Sequence, residues 1–354
     1  MSRQLIAIEP QPPILIAVVL SGKTGPPVVF ENGPEFMYNE QQSSVVWPSS
    51  DLILGQVAGI DLDSDRNVHI FQRGSRVWDG GSFDWNGNFQ HKDDGPINEP
   101  TLITLDKDTG EVVQALGSDR FYMPHGLTLD SNDNIWVTDV AMHQVMKFRK
   151  GSDKPELVLG KAFTPGSGND EFCQPTDVAV SETTGDIFVS DGYCNSRIMK
   201  FNANGEFITS WGTHNTDTKT TQPNGHFAIP HSITLIEDWD LICVADRENR
   251  RIQCFSAGID GGIPAGTFIK KAEDVGRVYA IDSGNHYLVG VTNRGLTGES
   301  PRLFMVDMET GESEVADADL KNPHDVVADL DEDGRVSAIY VAEIGPNQIR
   351  KIEL

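Results

Sequence analysis

The residues best suited to chemistry are three histidines that each directly follow a proline: His125, His231 and His324. Each Pro-His pair stands at the start of an alternating apolar segment of the kind that forms a β-strand. Three imidazoles are suitable zinc ligands and leave an open coordination position for water or substrate. The repeated context therefore predicts a catalytic metal centre. The competing interpretation is that Pro-His is a turn element whose imidazole caps a strand.

An internal repeat surrounds these histidines and organises most of the chain. Each copy contains an alternating apolar strand, a polar turn and a second strand that ends in a short acidic motif. Such units cannot bury their faces alone and are typical of repetitive architectures. Four clear copies occupy residues 123–139, 174–191, 229–246 and 322–343, and two weaker copies begin at Gly55 and Gly276.

The copies are spaced by about 45 to 65 residues, with period-two strands and turns rich in Gly, Asn and Asp, which predicts four-stranded propeller blades. No segment has the length and periodicity of a helix. We therefore expect an all-β chain, a six-bladed β-propeller with NHL-like repeats. Residues 1–45 are predicted to form an N-terminal extension that adds a strand to the closing blade, and residues 46–354 form the propeller.

The propeller would bring the three histidines together. In chain order they belong to the second, fourth and sixth copies, and alternate blades of a six-bladed ring lie about 120° apart. The innermost strand of each blade lines the central channel, so equivalent positions converge on the axis. We expect a threefold, open metal site in that channel.

Asp325 directly follows His324, so along an extended strand its side chain is expected to point away from the histidine metal. There it could hold a second, hard cation such as calcium, together with backbone carbonyls of neighbouring blades. The alternative from position alone is a carboxylate that hydrogen-bonds the start of the strand.

The composition limits the partners of the chain. The net charge of −25 and the pI near 4.6 argue against a nucleic-acid ligand, because phosphate binding requires a basic surface. No apolar stretch reaches the length of a membrane span. Glu9 and three prolines precede the apolar run from Ile14 to Leu20, which favours a strand or ordered extension over a signal peptide.

The four cysteines suggest two cross-links. Cys243 and Cys254 are nearly equidistant from a turn and would lie on facing strands of a hairpin. Cys173 precedes one blade and Cys194 follows its Asp-Gly-Tyr loop, so both could meet at the channel face. Two pairs would indicate an oxidising, extracytoplasmic compartment. The alternative is four reduced thiols in a cytosolic protein, since no export signal is evident.

Six segments are more specific than the repeat itself, and they extend from Gly55 to Asn249. They are GQVAG at 55–59, FQRGSRVWD at 71–79, FYMPHGL at 121–127, FCQPTD at 172–177, DGYCNSR at 191–197 and VADREN at 244–249. In these segments the chain resembles the catalytic core of the peptidylglycine α-hydroxyglycine α-amidating lyases. The resemblance covers the chain from about Leu54 to Leu354.

This resemblance implies a zinc-dependent lyase that cleaves a peptidyl- or N-acyl-α-hydroxyglycine into an amide and glyoxylate. It assigns the zinc to His125, His231 and His324. It also implies a structural calcium, two disulfides, a tyrosine base and two arginines at the substrate. The matching residues are Asp325 with the carbonyls of Val57 and Leu127, the pairs Cys173–Cys194 and Cys243–Cys254, Tyr193, and Arg73 with Arg247.

The implied reaction explains why these residue types occur together. The substrate is a carbinolamide with a carboxylate, so it requires a Lewis acid for the hydroxyl, a base for its proton and a cation for the carboxylate. Zinc, Tyr193 and Arg73 would supply them. A free tyrosine titrates near ~10, and a nearby zinc and guanidinium would move the pKa of Tyr193 toward neutrality.

Asn322 departs from the family pattern, which has methionine two residues before the last histidine. A polar side chain is thus expected at the substrate pocket. The α-hydroxyglycine substrate is expected to come from another protein, or else the substrate is a smaller hydroxyglycine derivative such as an N-acyl or ureido compound. The chain is expected to act as a monomer.

Two other functions are compatible with a propeller. A lactonase-type hydrolase would use a channel calcium with carboxylate ligands, which the three histidines disfavour. A non-enzymatic scaffold would bind a partner and keep the metal for structure. Imidazole ligands accept iron as well as zinc, so the metal ion in the cell stays open.

Overall fold

The computed structural model describes residues 44–48, 52–214, 222–273, 275–295, 298–308, 313–316 and 318–354. Over these residues the chain forms six four-stranded antiparallel sheets, which are the blades of a β-propeller. The predicted all-β, six-bladed fold is confirmed. The apolar run from Ile14 to Leu20 and most of the expected extension lie outside the described residues.

The first strand, β1 (Ser44–Trp47), belongs to the last blade, and the other blades follow in chain order. Blades 1 to 3 contain β2 (Val57–Leu62), β3 (Val68–Gln72), β4 (Leu102–Leu105), β5 (Val112–Leu116); β6 (Pro124–Leu129), β7 (Ile135–Asp139), β8 (Gln144–Phe148), β9 (Pro155–Leu159); and β10 (Pro175–Val180), β11 (Ile187–Asp191), β12 (Arg197–Phe201), β13 (Phe207–Trp211). A short parallel pair, β14 (Thr213–His214) and β15 (His226–Phe227), separates blades 3 and 4.

The second half of the ring has the same organisation. Blades 4 to 6 contain β16 (Pro230–Ile236), β17 (Leu241–Asp246), β18 (Arg251–Ser256), β19 (Phe268–Ala272); β20 (Arg277–Gly284), β21 (Tyr287–Asn293), β22 (Arg302–Asp307), β23 (Ser313–Ala316); and β24 (Pro323–Leu330), β25 (Val336–Glu343), β26 (Gln348–Glu353), β1. The helical segments in the described part of the chain are two 3₁₀ turns, Lys92–Asp94 and Glu237–Trp239. Neither could cross a membrane.

The hydrophobic core lies between the blades rather than at the centre of the ring. Each junction of neighbouring blades has its own cluster of buried side chains, including the junction of blade 6 with blade 1, where Tyr340 and Val327 pack with Val57 and Ile60. The first strand of each blade contacts the first strands of the two neighbouring blades around the channel. A blade alone would therefore leave both faces exposed to water.

Strand β1 closes the ring. It pairs antiparallel with β26, and the Trp47 ring lies edge-on against Tyr340 with centroids 5.3 Å apart. Ser44 accepts a hydrogen bond from Arg350 Nε at 3.0 Å and donates one to the Ala318 carbonyl at 2.8 Å. The two ends of the propeller thus share a blade, and closure removes the free sheet edges that an open ring would have.

Both expected disulfides are present. Cys243 and Cys254 are directly opposite each other on β17 and β18, and Cys173 is bonded to Cys194. No free cysteine occurs among the described residues. The second bridge ties the loop before β10 to the loop after β11, which lie at the same end of the channel.

The acidic motif at the end of each second strand has a structural role. Asp139 accepts hydrogen bonds from the backbone N–H groups of Tyr122 and Met123, which precede β6. The same position is filled in the other blades by a carboxylate or an amide whose oxygen accepts a nearby backbone N–H, and these residues are Gln72, Asp191, Asp246, Asn293 and Glu343. In five of the blades this acceptor holds the loop that leads into the inner strand.

Each inner strand begins with a β-bulge. The register between the first two strands of every blade slips at this point, so that one or two residues have no partner on the neighbouring strand. A bulge re-aims the side chain of its extra residue. The residues skipped are Ala58, His125 with Gly126, Thr176, His231, Tyr279 and His324. All three Pro-His histidines are therefore bulge residues.

A substitution in β1 tests whether this strand stabilises the closed ring. Trp47→Ala removes a half-buried indole from the junction of blades 6 and 1, and we expect the free energy of unfolding to fall by about 2–3 kcal/mol. Chemical denaturation followed by circular dichroism measures the change. Trp85→Ala is the matched control, because Trp85 is fully exposed and its loss should cost less than about 0.5 kcal/mol. Equal effects of the two substitutions would contradict closure through β1.

Candidate active site in the central channel

The three Pro-His histidines meet on the channel axis. His125, His231 and His324 lie on β6, β16 and β24 of blades 2, 4 and 6, and their nearest ligand atoms are within 4.8 Å of one another. The centroids of the three rings are 4.7 to 5.0 Å apart. The side chains are buried. The convergence expected from alternate blades is therefore present.

One hydrogen bond fixes the orientation of each imidazole. Nδ1 of His125 lies 2.7 Å from the Thr176 carbonyl, Nδ1 of His231 lies 2.6 Å from the Tyr279 carbonyl, and Nδ1 of His324 lies 2.7 Å from the Ala58 carbonyl. Because a carbonyl can only accept, each Nδ1 carries the proton and each Nε2 keeps its lone pair. All three acceptors are the bulge residues of the next blade.

The histidines are held in the neutral form that binds metals. Burial and, to a smaller extent, the positive charge of Arg73 lower the pKa of His324 to about 3. Burial and neighbouring positive groups also hold the pKa values of His125 and His231 well below the usual range. A divalent cation therefore need not compete with protons for these three nitrogens near neutral pH.

Tyr193 faces the open side of the triad. Its hydroxyl lies 3.0 Å from Nε2 of His125 and 2.9 Å from Nε2 of His231. The loop that carries it is fixed by the neighbouring disulfide and by Gly192, where an added Cβ would lie 2.0 Å from the Pro230 carbonyl. The Tyr193 phenol is thus placed beside the position that a metal bound to the three Nε2 atoms would occupy.

The surroundings of Tyr193 act on its pKa in opposite directions. Burial raises the pKa above the usual value, whereas the positive charges of Arg247 and Arg73 lower it in part. The Trp78 ring covers the phenol, with centroids 4.8 Å apart, and lies 6.0 Å from the His125 ring. Trp78 belongs to the long loop between β3 and β4, so this loop shields one side of the site from water.

Arg73 is buried beside the triad with an incomplete set of partners. Its Nε donates to the Pro124 carbonyl at 2.9 Å and its Nη1 donates to Gln56 Oε1 at 2.8 Å. Nη2 has no hydrogen-bond partner among the described residues, although the side chain is only 1% exposed. Burial lowers the pKa of Arg73 to about 10. An unpaired buried guanidinium nitrogen of this kind is suited to an anionic ligand.

Arg247 reaches the site from blade 4. Its guanidinium carbon lies 5.4 Å from the centre of the Tyr193 ring, and its Nε donates to Glu248 Oε1 at 2.8 Å. Arg73 and Arg247 thus bring two positive groups to the side of the triad where Tyr193 lies.

Asp325 lines the same channel cavity as His324. His324 is the extra residue of a bulge, and regular pairing with the second strand resumes at Asp325. The carboxylate accepts backbone N–H groups of Ile60 at 2.9 Å and Val326 at 3.0 Å. The strand-start hydrogen bond that was the alternative therefore exists.

Three further carboxylates, Asp61, Asp177 and Asp282, lie near Asp325 in the channel, and sequence reasoning missed them. Burial, with repulsion from neighbouring carboxylates, raises the pKa values of Asp61 to about 8 and of Asp177 to about 7, and burial raises the pKa of Asp282 to about 6. The pKa of Asp325 is also raised by burial and by Asp177. Such a cluster has the oxygen donors that calcium prefers. Val57 and Leu127 lie on the inner strands β2 and β6.

Asn322 lies in the loop before β24, two residues from His324. Its side-chain carbonyl accepts a hydrogen bond from the Asn293 amide, which also donates to the Pro323 carbonyl at 2.9 Å. The backbone N–H of Asn322 donates to Glu343 at 2.9 Å. The side chain is half-buried, and an amide pair thus occupies this part of the loop.

The roles of Ala58, Thr176 and Tyr279 were also missed. They stand in the same repeat position as the histidines, but their side chains are not metal ligands, and it is their carbonyls that orient the imidazoles. An alignment of all six copies by their inner strands would have found the position. It would not have shown that the backbone carbonyl, and not the side chain, acts at this position.

Comparison with known proteins agrees with this fold. The sequence profile of the NHL repeat matches residues 121–148 and 172–201. Among solved structures, a virginiamycin B lyase from Staphylococcus aureus, in a catalytically inactive form with quinupristin, superimposes with a TM-score of 0.51 at 15% identity. The match covers 89% of this chain and 99% of that one. At this identity the likeness concerns the fold alone.

Sequence relatives are much closer. The chain is 40% identical over 327 residues to a protein of Caenorhabditis elegans named probable peptidyl-alpha-hydroxyglycine alpha-amidating lyase. The match covers 92% of this chain and 89% of that protein. Peptidyl-alpha-hydroxyglycine alpha-amidating lyase 2 of Drosophila melanogaster is 40% identical over 308 residues, with 85% and 71% covered. Peptidyl-glycine alpha-amidating monooxygenase B of Xenopus laevis is 44% identical over 317 residues, and the chain spans about a third of its length.

The channel carboxylates predict an unusual pH dependence of stability. Their folded-state pKa values lie above the unfolded value of ~3.9, so between about pH 4 and 8 these carboxyls bind more protons in the folded state than in the unfolded state. The buried histidines, whose pKa values are lowered, act in the opposite direction below about pH 7. In metal-free protein the melting temperature should therefore fall as pH rises from about 7 to 8. Calcium should raise it, and should do so more at pH 8 than at pH 5, where protons compete. Scanning calorimetry measures both effects.

A pair of substitutions isolates this effect. Asp61→Asn should flatten the fall in melting temperature, because one carboxyl that resists ionisation is removed. Asp333→Asn, in an exposed turn, should leave the slope unchanged. A melting temperature of metal-free protein that stays level or rises over this pH range would exclude the argument.

Proposed function

The chain belongs to the family of peptidyl-α-hydroxyglycine α-amidating lyases, and we propose that it cleaves the C–N bond of a peptidyl- or N-acyl-α-hydroxyglycine to give an amide and glyoxylate. We further propose that a zinc ion held by His125, His231 and His324 serves this reaction. The observation that carries the proposal is the convergence of three neutral imidazoles whose Nδ1 atoms are already bonded.

The donor set fits zinc. Three histidine nitrogens with an open fourth position are the usual ligands of a catalytic zinc, and backbone acceptors at Nδ1 are the usual second partners of such histidines. When bound, zinc would supply a Lewis acid for the substrate hydroxyl. Iron is the alternative that imidazole ligands also allow, and elemental analysis decides between them.

Tyr193 is proposed as the base. Its oxygen lies beside the triad, and in the phenolate form it would take the proton of the carbinol hydroxyl as the C–N bond breaks and the aldehyde of glyoxylate forms. The electron pair of the broken bond goes to the amide nitrogen, and the phenol returns the proton to that nitrogen. Burial opposes the phenolate, so the positive charges of Arg247, Arg73 and the metal are required to lower the pKa of Tyr193.

Arg73 and Arg247 are proposed to bind the carboxylate of the substrate. The unpaired Nη2 of Arg73 supports this role, since a carboxylate oxygen would complete its hydrogen bonding. Asn322 is proposed to act on the other part of the substrate. Its amide replaces the methionine of the family pattern and would favour a polar or small group at that position.

Asp325, with the backbone carbonyls of Val57 and Leu127, is proposed to bind a structural calcium. The neighbouring buried carboxylates support this proposal, because they repel one another when ionised and a bound cation would offset that repulsion. The two disulfides support an extracytoplasmic location, where such bonds persist.

Metal analysis tests the metal centre. The wild type should contain about one zinc per chain and release glyoxylate from α-hydroxyhippurate, whereas His231→Ala should lose both the metal and at least about 100-fold in kcat/KM. His214→Ala is the matched control, because His214 is exposed and should keep metal and activity. A wild type purified without metal yet fully active would sink the zinc proposal, and a metal-bound but inactive wild type would favour the scaffold function.

The base is tested by removing one oxygen. Tyr193→Phe should lower kcat by about 100- to 10,000-fold, since a positioned acid–base group contributes on that order, while zinc content stays at the wild-type level. Glyoxylate release and elemental analysis on the same preparation give both values. Undiminished turnover by Tyr193→Phe would rule out the proposed role.

A further inference from the structure

Tyr279 occupies the bulge position of blade 5, the position that carries histidine in blades 2, 4 and 6. Its backbone carbonyl accepts the Nδ1 hydrogen bond of His231 at 2.6 Å. Its ring lies at the metal centre as well, with the centroid 5.0 Å from that of His231 and 6.1 Å from that of His324. The residue thus has a backbone role and a separate side-chain position within one site.

The Tyr279 ring is part of a stack of alternating rings and cations. The guanidinium carbon of Arg247 lies 4.8 Å from the centre of the Tyr279 ring and 5.4 Å from the centre of the Tyr193 ring. The guanidinium of Arg277 lies 5.5 Å from the Tyr279 ring. Arg247 is therefore in contact with two phenol rings, and Tyr279 contacts both arginines.

Glu248 joins the two arginines. It accepts a hydrogen bond from Nε of Arg247 at 2.8 Å and is bound by both Nε and Nη2 of Arg277. The group of two arginines and one glutamate carries one net positive charge, which is left to attract an anion. Arg247 is the member nearest the triad, because it alone also contacts Tyr193.

We propose that Tyr279 is a positioning residue that holds the guanidinium of Arg247 where the substrate carboxylate binds, an inference that rests on the proposed lyase function. Cation–π contacts strengthen when water is excluded, and Arg247 is buried. An arginine side chain has many rotamers, and the ring on one side and Glu248 on the other restrict them. Arg247 is thereby ordered before the substrate arrives, which lowers the cost of binding.

The two roles of Tyr279 can be separated by substitution. Tyr279→Leu removes the ring but keeps the backbone carbonyl that orients His231, so zinc should be retained. The carboxylate is bound in the substrate and in the transition state alike, so its loss should raise KM and leave kcat nearly unchanged. Tyr279→Phe keeps the ring and should restore the affinity, because phenylalanine also accepts a cation on its face.

Steady-state kinetics with α-hydroxyhippurate and calorimetric titration with glyoxylate test the proposal. For Tyr279→Leu we expect KM and the glyoxylate dissociation constant to rise about tenfold, with kcat within about threefold of wild type and zinc unchanged. Tyr279→Phe should lie within about twofold of wild type in all of these. Tyr279→Met removes the ring with an unbranched side chain, so that the comparison does not depend on one variant folding. Tyr287→Leu makes the same change elsewhere in blade 5 and should have no effect.

The outcomes separate this inference from the proposed function. An unchanged KM in Tyr279→Leu and Tyr279→Met, a Phe variant as impaired as Leu, or a loss of zinc in proportion to the loss of affinity would each overturn the positioning role. A wild type that releases no glyoxylate from α-hydroxyhippurate would overturn the function, and the glyoxylate titration would still test Tyr279. Wild-type protein that binds no glyoxylate overturns the inference.

Discussion

The hydrogen bond from each channel histidine to the backbone of the next blade is the constraint on which the site depends. Blades 2, 4 and 6 supply the imidazoles, and blades 3, 5 and 1 supply the carbonyls that fix them. Every blade therefore contributes one half of a ligand-orienting pair. Because the last pair joins His324 to Ala58 across the closure of the ring, the histidine triad is complete only when blade 6 has docked on blade 1. Ring closure by β1 and assembly of the triad are thus parts of one folded state.

Blades 1 and 5 contribute no histidine to the triad, but their backbone carbonyls orient two of the imidazoles. Two features of the repeat place these carbonyls: the bulge, and the acceptor at the end of each second strand. The acceptor holds the loop that leads to the inner strand, and the bulge turns one residue toward the axis. In the two weaker copies an amide replaces the carboxylate and the bulge is kept: Gln72 holds the entry loop of blade 1, whereas Asn293 in blade 5 accepts the N–H of the next residue, Arg294. The geometry of the repeat is therefore maintained where its sequence signature is weak, because the backbone of these blades is what the histidines require.

The sequence alone was sufficient for the fold, the triad and the cysteine pairs, and insufficient where a single inserted residue changes a pattern. Repeated Pro-His dipeptides in alternate copies predict convergence whatever the detailed register. The surroundings of Asp325 depend on the register, and the bulge at His324 interrupts the regular pairing at this point. The carboxylates Asp61 and Asp282 come from separate blades, so no local pattern links them. Their proximity follows from contacts between inner strands, which only the assembled ring defines.

Charge is segregated along the channel on the two sides of the histidine layer. Arg73, Arg247 and Tyr193 belong to segments at the ends of second strands, where the inner strands begin, whereas Asp325 and Asp61 lie one and three residues further along the inner strands than their bulge residues. An anionic ligand is thus attracted to the arginine side of the histidine layer. The three histidines lie between the two regions and are neutral. A calcium ion among the carboxylates would offset the repulsion between them when they ionise. A zinc ion at the imidazoles would add its charge to that of Arg73 and Arg247, so that the positive potential would be strongest where Tyr193 lies.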